Sequence, residues 1–530
     1  MTKEENQAVC AEVWYLFKEL LLFFKTIITS FIALHYIKEN VNRLMDIKNL
    51  EPRELWRNFA ELNAIPRASK KEERVIAFMR SFGERLGLET IQDAAGNVVI
   101  KKPASKGMED RQTVVLQSHL DMVHQKNSDT VFDFNTQGID MFIDGDWVKA
   151  RGTTLGADNG IGVSTIMALL ESTSIAHPPL EAMFTIDEET GMTGAKQLDP
   201  ANFSGSILLN LDTEADDELT IGCAGGVDTN TTYTYTHVAA DKNGVAFEIN
   251  IKGLTGGHSG MDIHKGRANA NKLMNRLLFE ALKTLTLHVH ELDGGSLRNA
   301  IPRESKAVVV LPAAQKLEFL AFIGIFSTVL KEEYHTVEPA LAITINECAR
   351  PQVVMDMPDL VKIVNAIYAV PNGVFRMSPD IINLVEASTN LARVIIKDGQ
   401  FITQSLQRSS VESTKADVAN AVGAAFENIG CTVTRDGDYP GWKPEPDSEI
   451  LRIMVKLYEE RFGEAPRVEA CHAGLECGIL GGHLPGMDMI SFGPTILGAH
   501  SPDERVQISS VQKYWPFLLA VLKEIPKLKV

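Results

Sequence analysis

Three short apolar runs in the first half of the chain end on residues that coordinate metals or move protons. No other feature constrains the fold as much. Residues 113–117 lead into Ser118-His119-Leu120-Asp121, residues 182–186 into Asp187-Glu188-Glu189-Thr190-Gly191, and residues 207–211 into Asp212-Thr213-Glu214. Runs this short, bounded by turn residues or charges, read as strands buried on both faces. The stretch 161–170 between the first two has the length and composition of a helix. Strands that alternate with helices build an α/β sheet, and such sheets bind ligands at the carboxyl ends of their strands. A fourth cluster, Gly156-Ala157-Asp158-Asn159-Gly160, stands just before that helix. Four polar clusters are therefore expected on one edge.

Singly, each cluster has an ordinary explanation. His119-x-Asp121 is the spacing that puts two side chains on one face of a strand. It would also let the carboxylate orient the histidine behind a metal. Asp158 sits in D-N-G, which is strong turn chemistry. Asp187-Glu188-Glu189 would make a solvated acidic turn, but three acids right after an apolar strand repel one another unless a cation compensates. Asp212 would cap a following turn. Together the four are harder to dismiss, because caps and turns do not require several aligned strands each to end in a His or an acid. Carboxylates with His and no thiolate suit zinc, manganese or cobalt. The number of acids suggests two metals sharing a bridging carboxylate, about 3.5–4 Å apart.

The other runs give an outline of the chain. Residues 52–62 and 70–86 read as helices. After Gly225-Gly226 the texture changes: residues 227–238 alternate Thr and Tyr like a strand with one wet face. Strands at 246–252, 305–311, 340–346 and 431–435 alternate with helices at 267–284, 316–333, 358–369 and 413–428. Residues 392–397 and 401–406 flank Asp398-Gly399, a hairpin signal. The last part returns to the earlier style, with helices at 448–462, near 473–480 and at 510–527 and a strand at 487–492. The expected division is a first domain in two parts, 45–225 and 441–530, with an α+β block, 226–440, inserted into it. At 530 residues the chain is long enough for both cores.

Composition excludes some functions. A formal charge of −17 leaves no basic face for nucleic-acid phosphates. Six scattered cysteines form neither a disulfide framework nor a CxxC zinc pattern, which fits reduced thiols in the cytoplasm. Residues 13–37 are largely apolar, but acidic residues precede them and no small-residue cleavage site follows, unlike a signal peptide. Lys25, near the middle of the apolar run 20–37, would cost about 2.5–3.5 kcal/mol in a membrane. Met45 followed by DIKNLEPRELWRNF reads as an ordinary start. The first 44 residues are therefore expected to be an extension of no assigned role rather than a membrane anchor.

Eight motifs in order (QSHLDMV, GADNGIG, TIDEETG, LNLDTE, GGHSGMDIHKGRANA, GGSLRNAIPRE, HAGLECG and GPTILGAHSPDE) resemble the aminoacyl-histidine dipeptidases, or bacterial carnosinases. These belong to the two-zinc exopeptidase superfamily, with carboxypeptidase G and the aminoacylases. The resemblance runs from about residue 50 to the C-terminus. It implies a mixed sheet flanked by helices with an inserted lid and dimerisation domain, two Zn2+ per subunit (Co2+ or Mn2+ as alternatives) and a homodimer. It also implies hydrolysis of Xaa-His and related dipeptides, with N-acyl amino acid deacylation as the alternative within the superfamily. By resemblance, His119 and Asp212 hold one metal and Glu189 and His500 the other, and Asp158 bridges them. Asp121 orients His119, and Glu188 is the general base. In the inserted block His258 resembles the residue that stabilises the oxyanion, and Asn299 and Arg408 resemble substrate-binding residues. Gly474 resembles a residue that contributes backbone contacts to substrate.

Overall fold

The strands Val114–His119, Leu180–Thr185 and Ile207–Asn210 are buried at every position. Such strands need cover on both faces. They pair in parallel at the centre of an eight-stranded sheet. On one side the sheet continues through Val98–Lys102 to Glu89–Gln92. On the other it continues through Asp488–Ser491 and Glu218–Cys223 to Arg467–Cys471. Helices Glu73–Arg85, Ala157–Glu171, Glu449–Phe462 and Ile508–Glu524 cover it, placing Val75, Val163, Met454 and Leu518 in one core with Leu116, Phe184 and Leu209. The computed structural model describes residues 46–528, so the expectations for residues 1–44 lie outside the described residues.

A second, nine-stranded antiparallel sheet draws all its strands from between Gly225 and Tyr439. Helices Ala270–Ala281, Met357–Ala369 and Glu412–Glu427 pack on it through Leu277, Ile363 and Phe426, against Ile249, Leu292 and Phe401. The hairpin expected at Asp398-Gly399 joins Val385–Lys397 to Gln400–Ser409, with both turn residues at positive φ as a tight primed turn demands.

Some elements escape the sequence reading. The short helix near 473–480 forms at Glu476–His483. Strands Glu218–Cys223, His288–Gly295 and Arg467–Cys471 were not expected. Neither was a four-stranded sheet built from Met141–Asp144, Trp147–Ala150, Ile496–Leu497 and Arg505–Gln507. That small sheet matters for the site: its hairpin 496–507 carries the HSPDE segment. Its core of Val148, Ile496 and Val506 seats it against Trp56, Phe59 and Ile161.

Candidate active site

The strand ends converge as expected. His119 is the last residue of its strand. Glu188 and Glu189 form the first turn of a one-turn helix, entered through Asp187 at φ 54°. That left-handed turn separates two adjacent glutamates in direction. Asp187 is held there by the hydroxyls of Thr190 and Thr193. Asp121 ties the two strand ends together. Its Oδ1 accepts the Glu188 N–H at 3.0 Å and its Oδ2 the Glu189 N–H at 3.3 Å. The same Oδ1 lies 3.3 Å from His119 Nδ1. Asp158 and Asn159 depart from helical geometry just inside the helix Ala157–Glu171, with ψ 110° at Asp158.

The side chains then meet. Asp158 faces a histidine with each oxygen: His119 Nε2 is 3.1 Å from Oδ1, and His500 Nε2 is 3.1 Å from Oδ2. Asp212 Oδ1 lies 3.6 Å from His119 Nε2, and Glu189 Oε2 lies 3.0 Å from His500 Nε2. The other four expected ligands, His119, Glu189, Asp212 and His500, thus gather around Asp158. His500 is at φ 64°, at the tip of the 496–507 hairpin.

Crowded acids distort one another here. Burial, then the charges of Asp212, Glu476 and Glu189, drive Glu188 well above the usual carboxylate range, against the pull of His119. Asp212 is driven up the same way, by burial and by Asp158, Glu476 and Glu189. Burial also works to raise Asp158, but hydrogen bonds to His119 and His500 outweigh it and hold this carboxyl low. Hydrogen bonds to Asp158 and Glu189 push His500 up to about 11.

Three charged residues around this centre were not singled out from the sequence. Arg67 is buried and donates to the carbonyls of Leu120 (3.0 Å) and Asp121 (2.9 Å). Burial lowers its pKa to about 10, so it stays charged near Glu504, Asp121 and Asp158. Glu504 accepts the N–H groups of Leu155, Gly156, Ala157 and Asp158 at 2.7–3.2 Å, fixing the loop that presents Asp158. Glu476, also buried, accepts from Gln117 and Thr185 at 2.6 Å each. Burial pushes Glu476 and Glu504 up to about 7. The one sequence signal was position: Glu504 and Glu476 fall inside the motifs GAHSPDE and HAGLECG.

The second set of expected residues forms its own cluster. His258 Nδ1 accepts the N–H groups of Gly260 (3.2 Å) and Met261 (3.1 Å), so its proton is on Nε2. That Nε2 lies 3.4 Å from Arg408 Nη2. Two donors facing each other this closely want an acceptor between them. Arg408 Nη1 donates to the Tyr439 hydroxyl at 2.8 Å, and among the described residues Arg408 makes no ion pair while its buried Nε has no partner. His472 stands close by, with Nε2 bonded to Ser388 Oγ at 2.7 Å and Nδ1 without a partner. Burial and the Arg408 charge push His258 down to about 4 and His472 to about 3. Asn299 enters through its backbone carbonyl, which accepts the Ser259 N–H at 2.7 Å. Gly474 packs against the Tyr439 ring, where an added Cβ would lie 3.1 Å from a ring carbon. Among the described residues no hydrogen bond or ion pair joins this cluster directly to the five ligands. The segment 472–476 runs between them.

The donors in the first cluster fit a pair of divalent cations. Two histidines address opposite oxygens of one carboxylate, each with a further acid behind it. Glu189 Oε1 is buried with no hydrogen-bond partner, a condition a cation relieves. Comparison with known proteins agrees. Residues 115–524 match the family "Peptidase family M20/M25/M40". The chain is 40% identical over 484 residues to the cytosol non-specific dipeptidase of Escherichia coli, covering 91% of this chain and all of that protein. The structure of the aminoacylhistidine dipeptidase from Vibrio alginolyticus is similar at a TM-score of 0.86, with 42% identity over 91% of this chain and 99% of that one. An aminopeptidase PepT from Bacillus cereus shares the fold at a TM-score of 0.52 and 16% identity, covering 90% of this chain and 99% of that one. The chain belongs to the M20/M25/M40 family of peptidases.

Proposed function

We propose that this peptidase is a dipeptidase working with two divalent metal ions, zinc foremost with cobalt or manganese as alternatives. Its substrates would be unblocked dipeptides, Xaa-His dipeptides among them. The names of the E. coli and Vibrio relatives support the substrate class. The observation that carries the reading is Asp158, whose two oxygens each face a histidine that has a second acid beside it.

His119 and Asp212 would hold one ion and Glu189 and His500 the other, with Asp158 between. Bound there, the ions would supply the positive charge that acidifies a water and offsets charge on the substrate carbonyl oxygen. Glu188, kept high by burial and neighbouring acids, is suited to take that water's proton and pass it to the leaving amine. Asp121 holds the His119 ring and the Glu188 backbone in one frame. In the inserted block the Nε2–H of His258 would meet the oxyanion. Arg408 would grip the dipeptide's free carboxylate, with Asn299 and Gly474 lining the place where the peptide lies.

The reading includes a homodimer and a cytoplasmic location. The helix Lys316–Glu333 leaves Leu317 80% and Ile325 69% exposed beside the edge strand Ala342–Cys348, a face suited to a second copy. The five cysteines among the described residues are free thiols.

A turnover assay on a dipeptide panel, before and after chelation and with metal content measured on the same sample, tests the proposal. Hydrolysis of β-Ala-His but not of its N-acetyl form is the expected result. Preference for the acetylated substrate would favour the deacylase.

A further inference from the structure

The ligand row has a buried polar row beneath it. Gln117 lies two residues before His119 on one strand, so both side chains share a face. Thr185 pairs with His119 in register on the next strand, two residues before Asp187. Asn210 lies two residues before Asp212, and its amide donates to Gln117 Oε1. Ser491, on the strand beyond, donates to Asn210 and bonds Thr213 at 2.8 Å. Gln117, Asn210 and Ser491 thus lie at one level on three adjacent strands, with Thr185 one side-chain step above on the fourth, in a sheet whose core is mostly Val, Leu, Ile, Met and Phe. Polar groups this deep are costly unless each is paired.

Glu476 anchors this row. Its Oε2 accepts from both Gln117 and Thr185, and Gln117 Nε2 also reaches Thr185 Oγ1 at 3.0 Å. As the first residue of its helix, Glu476 complements the helix dipole. A solvent-facing carboxylate would do that equally well, yet Glu476 is 1% exposed and turned toward the strands. Its Oε1 is buried without a partner. Its charge is close enough to act on His119, Glu188 and Asp212.

We propose that Glu476 is a positioning residue for the metal centre: clamped by Gln117 and Thr185, its carboxylate fixes the strand ends that present His119 and the Glu188–Glu189 turn. The assignment rests on the two-metal reading above. Groups that support metal ligands in this way typically account for 10–100-fold in metal affinity or activity.

The test is Glu476→Gln in the full chain, which keeps shape and one acceptor but loses the charge. Zn2+ affinity, measured by competition with a chromogenic chelator, should fall about 10–100-fold. kcat should fall by a similar factor with KM nearly unchanged, and the metal-free Tm should hold or rise. Thr185→Val, which removes one donor at constant volume, should move Zn2+ affinity the same way by less, and carries the test if Glu476→Gln does not fold. Wild-type Zn2+ affinity and kcat in both variants would overturn the assignment alone, even with a lowered Tm. A wild-type protein that neither binds Zn2+ nor cleaves dipeptides would overturn the two-metal reading and this assignment with it.

Discussion

The two clusters are unbalanced in opposite directions. At the carboxyl ends of the parallel strands, acids outnumber their partners: Asp158, Glu189 and Asp212 share two histidines, and Glu189 keeps a bare buried oxygen. In the antiparallel sheet, donors are in surplus. His258 Nε2–H and Arg408 Nη2 face each other, and Arg408 Nε and His472 Nδ1 have no partner. One region is short of positive charge and the other of acceptors. A dipeptide carboxylate and a pair of metal ions would fill the two deficits without competing. The two are also built differently: the first on strand ends braced by Arg67, Glu504 and Glu476, the second on the Gly-rich turn of His258 and on the strand Gln400–Ser409, which is paired on both sides at Arg408.

This comparison breaks most readily at the metals. Chelation should take turnover to background, and added Zn2+ should restore it. If activity survives complete metal removal, the acid-rich cluster has another purpose. Glu188→Gln comes next. A general base of this kind contributes about 10²–10⁴-fold, so kcat should fall by that factor while metal content, read by elemental analysis, stays at two per chain. Loss of metal together with activity would move Glu188 from base to ligand.

Changes in the donor-rich region should leave the metals alone. Arg408→Met removes a charged hydrogen-bond partner, worth about 1.5–3 kcal/mol when it meets a carboxylate. kcat/KM for dipeptides should drop by about 10–100-fold, carried mostly by KM. Zn2+ affinity should be that of the wild type. A dipeptide amide, lacking the free carboxylate, should show little difference between the two proteins. Equal losses on both substrates would mean that Arg408 does not read the carboxylate.

The contrast between regions also explains what the sequence disclosed. The ligand row was legible because each member follows an apolar run, and buried strands leave little choice of where their ends point. The inserted sheet was legible through its alternation and its Asp398-Gly399 turn. The hairpin at Met141–Asp144 and Trp147–Ala150 carries the same signal, with Gly145 at φ 61°. It was missed because its flanking strands have only four residues each. Arg67 and Glu476 were illegible for a different reason. Arg67 reaches Asp121, and Glu476 reaches Gln117 359 positions away, only after the chain has folded. No local pattern distinguishes such residues from surface charges. The row Gln117, Thr185 and Asn210 could have been found, since each stands two residues before a ligand cluster in an otherwise apolar strand. Convergence between the ligand and donor clusters has no local signature either, because it depends on how the two sheets meet across the segment 472–476.

The smallest expected effect is on stability, and here the regions pull in opposite directions. Glu214, Glu476 and Glu504 are pushed up to about 7, each by burial first, whereas an unfolded glutamate titrates near 4.3. Between those values the metal-free folded chain holds more protons than the unfolded one, so these groups make stability fall as pH rises. His500, raised to about 11, adds to the fall: its stabilisation is complete below about 6.5 and fades above. His258 and His472, held down near 4 and 3, act the other way. They make stability rise with pH up to about 6.5 and are flat beyond it. Asp121 and Asp158, both held low, contribute only in more acid solution. Zn2+ would relieve only the acid-rich cluster, and it binds better as its ligands lose protons. The gain in Tm on adding Zn2+ should therefore grow from pH 5 to pH 8, by a few degrees in a chain of this size. The His258→Gln variant should show the same growth, since its histidine is neutral where Zn2+ acts. A Zn2+-induced gain that is constant across this range, or that shrinks, would mean that the buried glutamates are already compensated by something other than metal.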